Sequence, residues 1–223
     1  FRKRAEEIID LVNKTEAEMT SDNETISGDI YIGGGETEGM RLITKAIKET
    51  QKIHPEIKFH LYSGNAQDVT EKLDKGLLDF GILIEPTNDF IKLPYTDCWG
   101  VLMKKDAFLA SKEYINPQDL KDLPLICSNQ DLVRNELSGW LKDDFDKLNI
   151  VATYNLIYNA SLLVDESSGY ALTLDKLINT YNSTLCFKPL EPKLEVGLDL
   201  VWKKYQIFSK AADFFLKKVI ELI

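Results

Sequence analysis

The sequence predicts an α/β fold made of two successive βα series, and three observations carry the prediction. Strand-like and helix-like stretches alternate from about residue 28 onward. A longer extended stretch, "LPYTDCWGVLMKK", separates a first series from a second. Short polar loops recur where a strand gives way to a helix, which is where open α/β sheets bind ligands.

Before the first strand, residues 1–20 read as a helix with a narrow apolar stripe. Phe1, Ala5, Ile8, Val12, Thr15 and Met19 follow the 4,3 spacing of a heptad, with charges elsewhere. Such a stripe packs on its own domain or pairs with a second copy. "TSDNETISG" breaks the pattern with turn formers and reads as a linker.

In the first series, "DIYIG" is a strand. "GMRLITKAIKETQKIH" is a helix with Met40, Ile43, Ala46 and Ile47 on one face. "PEIKFHLYS" alternates Ile57, Phe59 and Leu61 as a half-buried strand. "NAQDVTEKLDKG" is a helix ended by Gly76. "LLDFGILIE" is apolar almost throughout, as a strand buried on both faces requires.

The second series repeats the scheme. "PLICSN" is a strand, "VRNELSGWLKDDFDKL" an amphipathic helix, "IVATYNL" a strand and "YNASLLVDES" a helix. "GYALTL", "STLCFKPL" and "GLDLVWKK" are extended, and "SKAADFFLKKVIELI" closes the chain as a helix.

Composition narrows function. With 44% hydrophobic and 28% charged residues, 223 residues bury a substantial core. The net charge of −9 makes the chain a poor ligand for nucleic acid by itself. No apolar run approaches the ~20 residues of a membrane span. Cys98, Cys127 and Cys186 are scattered, without metal spacing, which fits a reducing, cytoplasmic setting. His54 and His60 are the only histidines, so a zinc site or a His-dependent triad is not expected, nor is any metal or cofactor. The opening "FRKRAEEIID" has neither an initiator Met nor a signal core, so a preceding domain or a removed signal is expected upstream.

"GDIYIGGGETEGM" invites a phosphate-binding reading. Gly33, Gly35 and Gly39 give G-x-G-x-x-x-G, one residue too long for the dinucleotide fingerprint. No Lys-Ser/Thr pair follows, and Glu36 and Glu38 repel phosphate. The glycines are expected to make a tight turn and the glutamates to complement the next helix dipole. Thr37 then sits at a strand's carboxyl end. "SGNAQ" (Ser63–Gln67), "CSNQD" (Cys127–Asp131) and "YNAS" (Tyr158–Ser161) are comparable loops. Four of them on two series point to a ligand cleft between two lobes.

At this point the residues resemble a known family. Gly28-x-Ile30-x-Ile32-Gly33 is followed by Pro55-x-Ile57-x-Phe59-x-Leu61 and Leu73-x-x-Gly76-x-Leu78-Asp79-x-Gly81-Ile82. Ile115-x-Pro117-x-Asp119-Leu120-x-x-Leu123-Pro124-Leu125-Ile126, Ser168-Gly169-Tyr170-Ala171-Leu172 and Leu200-x-Trp202-Lys203 come later. In order and spacing they resemble the C-terminal effector-binding region of LysR-type transcriptional regulators with its linker helix.

That resemblance implies two Rossmann-like lobes with mixed sheets, as in type 2 periplasmic binding proteins. It divides the chain into a linker over 1–27, lobe I over 28–100 plus 193–223, and lobe II over 101–192. It further implies a small-molecule effector in the cleft, pairing of linker helices in a homodimer or tetramer, and DNA contact only through a helix-turn-helix preceding residue 1. Thr37 matches the family's effector-contacting hydroxyl residue. The expected effector contacts are Gly35, Glu36, Thr37, Glu38, Asn65, Ala66, Ser128, Asn129, Gln130, Tyr158 and Asn159. Thr37→Val is expected to leave folding nearly unchanged.

Glu36 and Glu38 flank Thr37 and leave two readings open. Facing inward, they favour a cationic or zwitterionic effector; as helix caps, they leave room for a carboxylate. Two other functions compete: a transporter's solute-binding protein, which needs a signal peptide, and a nucleotide-dependent or acid–base enzyme. The enzyme would want a His, Lys or paired-carboxylate constellation, and only Glu36 and Glu38 offer one.

Overall fold

The computed structural model describes residues 4, 5, 8, 9, 11, 12, 26–84, 89–142 and 145–223. Among the described residues nine strands form in chain order: β1 (Gly28–Gly34), β2 (Ile57–Ser63), β3 (Phe80–Leu83), β4 (Asp89–Lys104), β5 (Leu125–Ser128), β6 (Ile150–Tyr154), β7 (Tyr170–Leu174), β8 (Leu185–Pro189) and β9 (Glu195–Trp202). The helices with defined bounds are α1 (Met40–Ile53), α2 (Ala66–Asp74), α3 (Asp131–Trp140), α4 (Ile157–Asp165) and α5 (Lys210–Glu221). Residues 4, 5, 8, 9, 11 and 12 are also helical; Phe1, Thr15 and Met19 of the heptad stripe lie outside the described residues.

The chain divides into two compact units. The first holds residues 1–35, 39–95 and 197–223, the second residues 36–38 and 96–196. The boundaries therefore fall at 95/96 and 196/197, inside β4 and β9, where the sequence places them at 100/101 and 192/193. Three loop residues, 36–38, go with the second unit while their neighbours on both sides belong to the first.

In the first unit the strand order is β2-β1-β3-β9. β1 runs parallel to β2 and β3, and β9 pairs antiparallel with β3. Strand alternation sorts the core into two layers. Ile30, Ile32, Phe80, Ile82, Leu198 and Leu200 pack with Leu42, Ile43 and Ala46 of α1 and Ala212, Phe215 and Val219 of α5. Val69 and Leu73 of α2 pack with Leu78, Leu83 and Val201. Each fully buried Leu, Ile or Phe contributes about 1.5–3 kcal/mol by leaving water, so these layers outweigh any helix propensity. Phe80 lies under Trp202, Phe208 and Phe215, with ring centroids 5.1–6.5 Å apart.

Three local expectations shift. Leu61 is 54% exposed: β2 is the edge strand, and of its alternating residues Ile57 and Phe59 join the core with α1 and α5 while Leu61 does not. The helix predicted through Leu148 stops at Trp140, with Lys142 in the left-handed region at φ 54° and a 3₁₀ turn at Phe145–Lys147. The buried stripe of α1 is Leu42, Ile43, Ala46 and Thr50, while Met40 and Ile47 are only partly covered.

The second unit follows the same plan, in the order β4-β7-β5-β6 with β8 on the far side of β4. β5 is parallel to β6 and β7, and β4 is antiparallel to β7 and β8. Leu102, Ile126, Ala171 and Leu185 pack with Ile157, Ala160 and Val164 of α4. Helix α3 buries Val133 and Leu137, and its Glu136 accepts a hydrogen bond from Trp99 Nε1 at 3.1 Å.

Candidate functional site

In the first unit, the candidate residues follow β1 and β2. Gly33 is a strand residue, and a Cβ there would stand 2.4 Å from Leu78 Cδ1 and 3.2 Å from Val69. Gly34 is similarly close to Ile82. Neither has a left-handed φ, so crowding by neighbouring side chains, tighter at Gly33 than at Gly34, rather than a tight turn distinguishes them. Only Gly35 lies beyond the strand. Its absent Cβ would be 3.8 Å from Gly64 O, an ordinary contact, and Gly64 N donates to Gly34 O at 3.1 Å. Asn65 is the N-cap of α2: its side chain accepts from Asp68 N at 2.8 Å, and Ala66 opens the helix.

The second unit holds Glu36, Thr37 and Glu38, and here the glutamate question has an unexpected answer. Glu36 does cap a helix, but not the one that follows it. Its Oε2 accepts from Ile157 N, the first residue of α4, at 2.5 Å. Leu156, the N-cap of α4, has no side-chain capping bond, and the first turn carries no acidic residue of its own. Glu36 thus takes one of the N–H groups that a helix leaves unsatisfied, and its charge complements the helix dipole.

Thr37 is equally committed. Its Oγ1 donates to Asp97 Oδ2 at 2.5 Å, so the hydroxyl proton is engaged within the protein, and Thr37→Val would remove a bond to a buried carboxylate. Asp97 is only 5% exposed. Burial pushes its carboxyl above the ordinary aspartate value, the Thr37 bond pulls it back, and the charge of Glu38 raises it again. After these, Lys176 lowers it and Asp175 raises it.

Asp97 was not among the sequence candidates. The available signal was a carboxylate in register with Trp99, Val101 and Met103, all buried, along β4. A charge at a buried strand position is uncommon unless it has a partner.

The remaining candidates also lie in the second unit. Ser128 ends β5, is 8% exposed, and accepts from both Gln130 N and Gln130 Nε2 at 3.3 Å. Asn129 is exposed, with its N–H on Tyr154 O. Gln130 is the N-cap of α3. Tyr158 and Asn159 are not loop residues but lie in the first turn of α4, and both are exposed. Beneath them, Tyr154 donates to Leu172 O at 2.6 Å, and burial raises its phenol while the charge of Glu36 adds to the rise. Cys127 is pushed up to about 12 by burial, which keeps its thiol protonated and inert.

The arrangement is suited to holding polar groups by hydrogen bonds and charge. Among the described residues, no group of three or more His, Cys, Asp and Glu side chains is placed to hold a metal ion. No described helix is long and apolar enough to cross a membrane.

Comparison with known proteins places this geometry. Residues 23–221 match the family model of the LysR substrate binding domain. The chain is 27% identical to the uncharacterized HTH-type transcriptional regulator YfeR of Shigella flexneri, over 94% of this chain and 70% of that protein. It is 30% identical to the uncharacterized HTH-type transcriptional regulator YvbU of Bacillus subtilis, over 97% of this chain and 75% of the relative. Among solved structures, the effector binding domain of QuiR in complex with shikimate superposes with a TM-score of 0.74. That pair is 20% identical and covers 88% of this chain and 97% of the other. These relatives are transcriptional regulators rather than enzymes, and the two α/β units are the fold of their ligand-sensing regulatory part. The chain belongs to the LysR substrate-binding domain family.

Proposed function

We propose that a small-molecule effector is held by the second unit's loop Glu36–Glu38, by Ser128–Gln130, and by Tyr158 and Asn159 at the start of α4. The observation that carries this reading is the position of residues 36–38. They are hydrogen-bonded to β4 and α4 of the second unit, while the chain on both sides of them belongs to the first. A ligand on this loop therefore acts on a segment joined covalently to both units. It shifts a conformational equilibrium only by its differential affinity for the two states. In the full regulator that shift would be read by a DNA-binding region, in a cytoplasmic homodimer or tetramer.

The test is a thermal-shift screen of small metabolites, followed by calorimetric titration of the parent, Gln130→Ala and Tyr158→Ala. Each substitution should weaken the selected ligand by about two- to tenfold, the loss expected for one neutral hydrogen bond. Thr44 is exposed on α1 and bonds only its own helix through Arg41 O, so Thr44→Val should leave affinity unchanged. Full affinity in both site variants would remove the ligand from these loops.

A further inference from the structure

We propose that Glu36 is an internal occupant of the N-terminus of α4, excluding small carboxylate effectors from that helix end and favouring effectors that bring hydrogen-bond donors or positive charge. The inference rests on the effector role proposed for the loop and names the ligand class that the loop admits.

A helix N-terminus is a natural seat for an anion, because its first N–H groups have no intrahelical partner and the dipole favours negative charge. In α4 that seat is already taken by a carboxylate of the same chain, 121 residues away in sequence. The occupant is no chance surface contact. Ile157 is buried, Glu36 is partly buried, and the Glu36 charge also reaches the partly buried Tyr154 phenol. Glu38, on the same loop, and Asp175 act on Asp97 as like charges and Lys176 as an opposite one. An incoming carboxylate has to displace Glu36 from Ile157 N. A protonated amine or a polyhydroxylated molecule does not compete for that N–H.

The experiment uses succinate as the probe, with sodium chloride at matched ionic strength as the control. Calorimetry and the amide chemical shift of Ile157 are read in the parent, Glu36→Ala, Glu36→Gln and Glu38→Ala. Succinate should bind Glu36→Ala about tenfold or more tightly than the parent, since an emptied helix end regains its attraction for anions. The Ile157 amide should shift with succinate in the Glu36 variants, most in Glu36→Ala, and not in the parent. Glu36→Gln keeps a neutral oxygen for Ile157 N, guards against misfolding of the alanine variant, and should show an intermediate gain. Equal succinate affinity in the parent and Glu36→Ala overturns the proposal. So does an equal gain in Glu38→Ala, which would make it a general charge effect. Because succinate replaces the natural effector, a failure here leaves the Gln130 and Tyr158 titrations standing, and their failure leaves this result standing.

Discussion

Replacing Thr37 with valine keeps the side-chain shape and removes the one hydroxyl that donates to Asp97. A hydrogen bond to a charged acceptor contributes about 1.5–3 kcal/mol. Asp97 is nearly out of reach of water, so water cannot fully replace the lost donor; Thr37 is partly exposed, which moves the expectation down to about 2 kcal/mol. In a chain of this size, 1 kcal/mol shifts the melting temperature by about 2–4 °C, so Thr37→Val should melt about 4–8 °C below the parent at pH 7–8. The pH dependence distinguishes this cause from a packing defect. The Thr37 bond favours the charged carboxylate, and removing it raises the folded-state pKa of Asp97 further above its ordinary value. The gap between variant and parent should therefore be largest at neutral pH and shrink as Asp97 becomes protonated in both. Circular dichroism melts from pH 3.5 to 8, with Thr44→Val alongside, measure it. A loss that does not vary with pH, or one shared by Thr44→Val, would refute the reasoning.

Asp97 itself gives a second expectation. Its folded pKa is raised by burial above the ordinary 3.8, so the stability it contributes is fully present below that value and lost as pH rises through the folded one. Asp97→Asn should accordingly raise the melting temperature at pH 7–8 and lose that advantage near pH 3.5, in the same melts; a destabilised variant at neutral pH would contradict the sign. A third concerns assembly: Ala5, Ile8 and Val12 are helical and exposed, Ile8 by 63%. Sedimentation at tens of micromolar should show Ile8→Lys less self-associated than the parent, because a charge in an apolar seam must be desolvated. Equal association of the two would move the interface elsewhere.

Much of the fold was legible because the apolar pattern has only two periods to choose from. Continuous burial in "FGIL" followed from that pattern directly, as did half of the α1 stripe, Ile43 and Ala46. The boundaries between the units were less legible, since β4 and β9 run through them without any break in composition. Loop positions were legible from turn residues, but their partners were not. Nothing local in "GETEG" says that Glu36 bonds a helix start 121 residues later, or that Thr37 faces a buried carboxylate on β4. Long-range polar pairing leaves no periodic trace. The setting of Gly33 is equally non-local: the Leu78 side chain that crowds it comes from the turn leading into β3.

The split of the first unit around the second has a consequence for synthesis. Phe80 is made early, yet Phe215, which packs on it, follows about 135 residues later. At roughly 5–20 residues per second, the ribosome leaves that ring without its partner for many seconds. The edge of β3 that β9 will cover stays open for nearly as long. Residues 96–196, by contrast, emerge as one uninterrupted stretch and have nearly all of their partners at hand. The later lobe in the sequence is thus the earlier one able to close, and the nascent first unit is the part exposed to chaperones and to misassociation.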